Sequence, residues 1–180
     1  MNRPPSRSGR LRRRSRGQAI AEFALVAPVL LFLLFGVFEA GLLMFAVGSA
    51  RFAAGEAARQ ESESGNAANA DTVTLQVIRD TALGTTSLAQ VTRIDIYRMI
   101  EQPDGTLVVD NSKFNRYLLD GTPVGGVVWT PTSRNVTNGQ SDFLGVTINY
   151  TYRWKSGVIL GQPTLNLTQS FYVRLEPQTY

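Results

Sequence analysis

Two glutamates lie where a charge is costly, and both could form an ion pair with a cation. Glu22 stands at the start of the longest apolar stretch of the chain, and Glu39 interrupts that stretch after 16 uncharged residues, Phe23–Phe38. A charge near the centre of a bilayer costs roughly 3 kcal/mol even on the lenient insertion scale. Each carboxylate therefore either sits at the level of the lipid headgroups or pairs with an arginine or amine of another helix. Both interpretations stay open for both residues.

Little else in the sequence could support catalysis or metal binding. The chain contains neither histidine nor cysteine, which removes the commonest general base, thiolate metal sites and disulfides. Asp104, Asp110 and Asp120 have turn-like surroundings, in which solvated carboxylates are expected. The glycine spacing at 121–126 lacks the lysine of a phosphate loop. We therefore expect a protein that is not an enzyme, with no metal and no cofactor.

The positive charge of the chain is concentrated at its beginning. The formal net charge is +4, but seven arginines fall within residues 1–17, and the sequence from Gln18 onward has a net charge of −3. Without a basic patch in the remainder, we do not expect nucleic acid as a partner. Residues 1–17 are predicted to be disordered in water. Beside an apolar segment, such a flank stays in the cytoplasm by the positive-inside rule.

Residues 18–60 predict one long helix that crosses a membrane. A bilayer core of about 30 Å needs about 20 helical residues, so either residues 19–38 or residues 24–50 could span it. The first choice keeps Glu39 at the outer headgroups and is preferred. Pro28 is expected to bend the helix, because it removes a backbone hydrogen bond. Small residues four apart, among them Gly36 and Ala40, are expected to let another helix approach closely.

Residues 61–70 are predicted to be a polar linker, and residues 71–180 a small outer domain. A short helix over 72–83, capped by Asp71, is expected first. Alternating apolar residues then predict strands at 91–101, 145–155 and 165–175, with a turn at 103–105 and a return strand at 107–109. Residues 111–142 are predicted to be a long loop. The fold class is therefore α+β: a transmembrane helix followed by a mainly antiparallel β domain.

The junction between the basic flank and the apolar segment resembles a type IV prepilin processing site. Gly17 is followed by Gln18-Ala-Ile-Ala and then by Glu22-Phe23, directly before the apolar run. Together with Pro28, Glu39 and the alanine-rich exit, residues 13–60 are similar to the TadE-like pilins of the tight-adherence (Tad) system. The resemblance is weaker over 61–142 and moderate from 143 to the end.

The resemblance implies a processed structural subunit. A prepilin peptidase would cut between Gly17 and Gln18 on the cytoplasmic side, and Glu22 would neutralise the new N-terminal amine of a neighbouring subunit. Gln18 and Glu22 are also four apart on a helix, so pairing within one chain stays open. Membrane lipid, other minor pilins, a major Flp-type pilin and the inner-membrane assembly platform are the implied partners.

The implied role is a minor pilin or pseudopilin, a single-pass protein of the inner membrane that primes or supports assembly of a pilus for adhesion or secretion. Whether it enters the fibre stays open. The alternative is an unprocessed, membrane-anchored protein whose outer domain binds a ligand or scaffolds an envelope complex. A signal peptide cut after Gly48-Ser-Ala50 is a further alternative, because a weak small-residue site follows the apolar stretch.

Overall fold

The computed structural model describes residues 9–156 and 163–177. The first part of the predicted disordered leader, residues 1–8, lies outside this range. The elements in chain order are α1 (Gly9–Ser64), α2 (Ala70–Asp80), α3 (Ala82–Thr85), β1 (Ala89–Glu101), β2 (Leu107–Tyr117), a 3₁₀ turn (Pro131–Ser133), β3 (Phe143–Arg153) and β4 (Thr164–Arg174). The predicted α+β class, a long apolar helix followed by an antiparallel sheet, is confirmed.

The chain divides after Gly41 into two compact units. The described part of the first unit is α1 as far as Gly41. Its apolar side chains are largely exposed: Phe23, for example, keeps 69% of its surface accessible and Leu25 77%. Among the described residues, one helix, Gly17–Ser64, is long and apolar enough to cross a membrane. Exposed apolar side chains on every side of such a helix are typical of a segment that faces lipid, so the helix indicates a membrane anchor.

In the second unit, α1 contributes a face of alanines to the core of the outer domain. Six alanines are buried to 1% exposure or less, and they belong to one continuous core with the apolar face of the sheet: Ala46, Ala50, Ala53, Ala54, Ala57 and Ala58. The sheet side of this core includes Ile94 and Ile96 from β1 and the alternating residues of β3 from Leu144 to Tyr152.

The sheet has four antiparallel strands in the order β2-β1-β3-β4. β1 and β2 form a hairpin through the predicted turn at 103–105, where Gly105 has φ 82° and the Asp104 carboxylate accepts the Thr106 backbone N–H at 2.9 Å. The β1–β2 register shifts between Tyr97 and Met99. Beyond this irregularity Ile100 is 38% exposed, although its even spacing from the buried Ile94 and Ile96 would place it on their face of a regular strand.

Two predicted boundaries around α1 differ from the structure. Residues 9–17, expected to be disordered, are helical, because arginine is a good helix former and the segment continues an established helix. At the other end α1 continues to Ser64, into the predicted linker. Tertiary contacts hold this last turn, since the Ser62 hydroxyl donates to the Arg174 carbonyl at 2.7 Å. The helix then ends at Gly65, whose φ of 56° and hydrogen bond to the Glu61 carbonyl are typical of a glycine C-cap.

Two predictions for the outer domain were wrong. The predicted capping residue, Asp71, is not the N-cap of α2; that position belongs to Asn69, and Asp71 is buried within the first turn. The predicted loop 111–142 is too long, because β2 extends to Tyr117. Its second half is mostly polar and forms an edge strand, so it lacks the apolar alternation that a half-buried strand shows.

Candidate functional site

The junction from Gly17 to Phe23 lies within α1 and is exposed throughout. A Cβ atom added at Gly17 would meet no heavy atom within 4 Å. The structure therefore gives no packing reason for a glycine at this helical position, where glycine costs about 1 kcal/mol relative to alanine.

Glu22 lies one helical turn after Gln18, and the two side chains contact each other. The Gln18 amide donates to Glu22 Oε1 at 2.9 Å. This contact shows that the Glu22 carboxylate reaches back along the helix to position 18. If the chain were cut before Gln18, the new ammonium group would appear one turn from this carboxylate. The geometry is compatible with pairing inside one chain, and the exposure of Glu22 leaves it equally accessible to a neighbouring chain.

The remaining predicted residues of the anchor occupy different environments. Pro28 is exposed and α1 stays helical through it. Gly36 has open space around its Cβ position, and Ala40 is exposed, so this side of the helix is open to a second helix. Glu39, in contrast, has no exposed surface. Gly36 and Ala40 are therefore accessible to a neighbouring helix, whereas the Glu39 side chain is buried, although the three residues are close in sequence.

A buried cluster of charged residues surrounds the last turn of α1, within the outer domain, and was not predicted from the sequence. The Arg134 guanidinium forms ion pairs with Glu61, in the last turn of α1, and with Asp71, in the first turn of α2. The exposed fractions of the three side chains are 0% for Arg134, 0% for Glu61 and 9% for Asp71. One cation thus joins two helices and the loop that carries Arg134.

Polar and aromatic partners hold the cluster from the side of the sheet. The Tyr117 hydroxyl donates to Asp71 Oδ2 at 2.5 Å, and the Asn115 amide donates to the same oxygen at 3.2 Å. Asn115 also accepts the Trp129 backbone N–H at 2.8 Å and donates to the Trp129 carbonyl at 2.6 Å, which fixes the loop. Arg134 lies 4.6 Å above the centre of the Trp129 ring.

Burial raises the pKa of Tyr117, and the neighbouring Asp71 carboxylate raises it further by accepting a hydrogen bond from the phenolic O–H and by its charge. Tyr117 is therefore a neutral hydrogen-bond donor throughout the physiological pH range.

The sequence alone did not predict this cluster, because its members are far apart in sequence and lie in polar segments that suggest solvated loops. The one local signal was a tryptophan, Trp129, in a stretch otherwise rich in glycine, proline and threonine.

Comparison with known protein families gives one match. Residues 17–59 match the model of the TadE-like protein family. The matched segment begins at Gly17 and covers the apolar helix and the alanine-rich exit, so the resemblance of this segment to the TadE-like family is confirmed. No curated protein and no solved structure matches the chain. The TadE-like family is a structural, pilus-associated family of the Tad system, and the match suggests other pilus components as partners.

Proposed function

Starting from a TadE-like segment that begins at the glycine of the junction, we propose that this chain is a minor pilin or pseudopilin of a Tad-type system. A prepilin peptidase cuts it between Gly17 and Gln18. The observation that carries the proposal is the coincidence of three features at one place: the first residue of the family match, a glycine without an internal packing role, and the boundary between the arginine-rich segment and the apolar run of the sequence.

The charge distribution supports the orientation that this role requires. Seven arginines precede the junction, and such a cluster holds its side of a membrane segment in the cytoplasm. The apolar residues 19–38 then span the inner membrane once, and the domain from Leu42 onward folds outside it. Cleavage removes all seven arginines, so the mature chain carries only the new ammonium of Gln18 at that end.

Glu22 is the assembly residue in this proposal. A carboxylate and an ammonium about 4 Å apart in a poorly solvated place attract each other by several kcal/mol, although desolvation offsets much of this. The new N-terminus of a neighbouring subunit supplies that ammonium. The exposed position of Glu22 supports this pairing, because it leaves the carboxylate accessible to a neighbouring subunit.

The mature helix then packs among other membrane helices. The open side at Gly36 and Ala40 fits a close helix contact with another minor pilin, with the major Flp-type pilin or with the assembly platform. The protein primes or supports pilus assembly for adhesion or secretion, as a membrane subunit or as part of the pilus itself.

Replacing Glu22 separates processing from assembly. In cells that make Tad pili, Glu22→Ala should leave the chain shortened by cleavage but lower the amount recovered in pili. Glu56, a half-buried residue of the same helix, is the matched control, because its ion pair with the exposed Arg59 lies at the surface and contributes little. Glu56→Ala should leave both readouts unchanged. If Glu22→Ala instead stops cleavage, the glutamate acts in processing and not in assembly.

The second candidate is a permanently anchored envelope protein whose outer domain scaffolds a complex or binds a ligand. One observation favours it: the outer domain has a hydrophobic core of its own, with buried residues of α1, α2 and α3 and of the strands β1, β2 and β3. Such a domain could act without processing. In that case Glu22→Ala would change neither the length of the chain nor its function.

A further inference from the structure

The cluster at the end of α1 contains more negative than positive groups. Two carboxylates, Glu61 and Asp71, share the single guanidinium of Arg134, and all three side chains are nearly or fully buried. An uncompensated charge in a protein interior costs several kcal/mol. A buried site with two acids and one base avoids this cost by keeping one proton.

Hydrogen bonds identify the carboxylate that keeps the proton. Both oxygens of Asp71 accept hydrogen bonds, Oδ1 from Arg134 and Oδ2 from Tyr117 and Asn115, so its ionised form is fully satisfied. Glu61 Oε1 accepts from Arg134. Glu61 Oε2 is buried and, among the described residues, has no hydrogen-bond partner. A proton on Glu61 is therefore expected on Oε2.

The surroundings of Glu61 agree with this assignment. It follows Phe38 by 23 helical residues and therefore lies outside the membrane-spanning segment. Burial raises the pKa of Glu61 to about 7; the charge of Arg134 opposes this change, and the charge of Asp71 adds to it. The ionisable groups that face Glu61 are Asp71 from α2, Arg134 from the loop and Tyr117 from β2, and Tyr117 stays neutral.

We propose that Glu61, Asp71 and Arg134 form a proton-dependent latch that holds the end of the anchor helix on the outer domain. With one proton on Glu61 the cluster is neutral and joins α1 to α2, to the 129–134 loop and, through Asp71, to β2. Loss of that proton leaves a net negative charge in the interior. The last turn of α1 and the loop that carries Arg134 then separate more easily.

The pH dependence has a defined sign. The pKa of Glu61 is about 7 in the folded chain, against an ordinary value of 4.5, so the folded state binds the proton more tightly than the unfolded state. The stabilisation is complete below the ordinary pKa and is lost as the pH rises through about 7. For one proton, the unfolding equilibrium constant rises by up to about tenfold per pH unit in this window.

The test uses the full-length chain in detergent micelles. The sequence contains two tryptophans, so a Trp154→Phe background leaves Trp129, beside Arg134, as the only fluorescent indole. Urea unfolding is followed by Trp129 emission from pH 5 to pH 8.5. The unfolding equilibrium constant of the parent chain should rise by up to about tenfold per pH unit between pH 5 and pH 7. Glu61→Gln, which keeps the neutral shape of the side chain, should remove that slope.

Glu63→Gln is the matched control, because Glu63 lies two residues further along α1 with 40% of its side chain exposed; it should keep the parent slope. A parent chain without pH dependence in this window, or a Glu61→Gln chain that retains it, would overturn the proposal. Infrared spectroscopy provides a second readout that needs no unfolding. The carbonyl band of a protonated carboxyl should be present at pH 6, vanish by pH 8.5 and be missing in Glu61→Gln; its absence from the parent chain at pH 6 would also overturn the proposal.

Discussion

Replacing Arg134 by methionine tests how strongly the buried cluster supports the outer domain. Methionine keeps much of the apolar stem but removes the guanidinium that pairs with both Glu61 and Asp71. Breaking a fully buried ion pair on one side costs about 3–5 kcal/mol. A domain of ordinary stability has about 5–15 kcal/mol in total, so this single change should remove a large part of the free energy of unfolding.

The measurement is urea unfolding of the full-length chain in detergent micelles at pH 8, followed by Trp129 fluorescence. Arg59→Met is the matched control on the same helix, because Arg59 is 63% exposed and pairs with Glu56 and Glu63 at the surface; it should change stability by less than about 1 kcal/mol. At pH 5 the loss caused by Arg134→Met should be smaller, because Glu61 then carries a proton in any case.

Adding Glu61→Gln to Arg134→Met shows how much of the lost stability is due to the unpaired Glu61 carboxylate. The double variant should recover part of the lost stability, since one of the two stranded charges is gone while Asp71 keeps its hydrogen bonds from Tyr117 and Asn115. A loss below about 1 kcal/mol for Arg134→Met at pH 8 would show instead that water compensates the two carboxylates and that the buried ion pairs contribute little to the stability of the domain.

Three further predictions concern α1. Gly17→Leu should block processing, so that the chain stays about 2 kDa heavier on a gel, whereas the same change at Gly41 should not; both positions have open space at Cβ. Ala54→Leu should destabilise the outer domain by about 1–3 kcal/mol by overpacking its core, while Phe52→Leu on the exposed side should have little effect on urea unfolding. Glu39→Gln with an unchanged pilus yield would support a headgroup position for Glu39, and a reduced yield would support a docking contact.

The elements that sequence reasoning predicted are those whose pattern is local. The apolar run after Glu22 is a property of consecutive residues, and the alternation at 145–153 places one apolar face on β3 without reference to any other strand. These segments form as expected because burial of one face or exposure to lipid dominates their energetics. The PDG turn at 103–105 was equally local and is present.

The elements that sequence reasoning missed depend on distant partners. Nothing in the neighbourhood of Asp71 shows that Tyr117 and Arg134 reach it, so a carboxylate before an apolar helix suggests a cap. The second half of β2 is polar. It is extended because it pairs with β1, and the pattern of its own side chains does not predict a strand. The role of Glu61 is hidden for the same reason, because a polar stretch after a helix predicts a linker.

Processing between Gly17 and Gln18 is decided by sequencing the N-terminus of the protein extracted from membranes of cells with an active prepilin peptidase. The proposed function predicts a chain that begins at Gln18. A chain that begins at Met1 would contradict it and support an unprocessed anchor, and a chain that begins at Arg51 would contradict it and support a signal peptide.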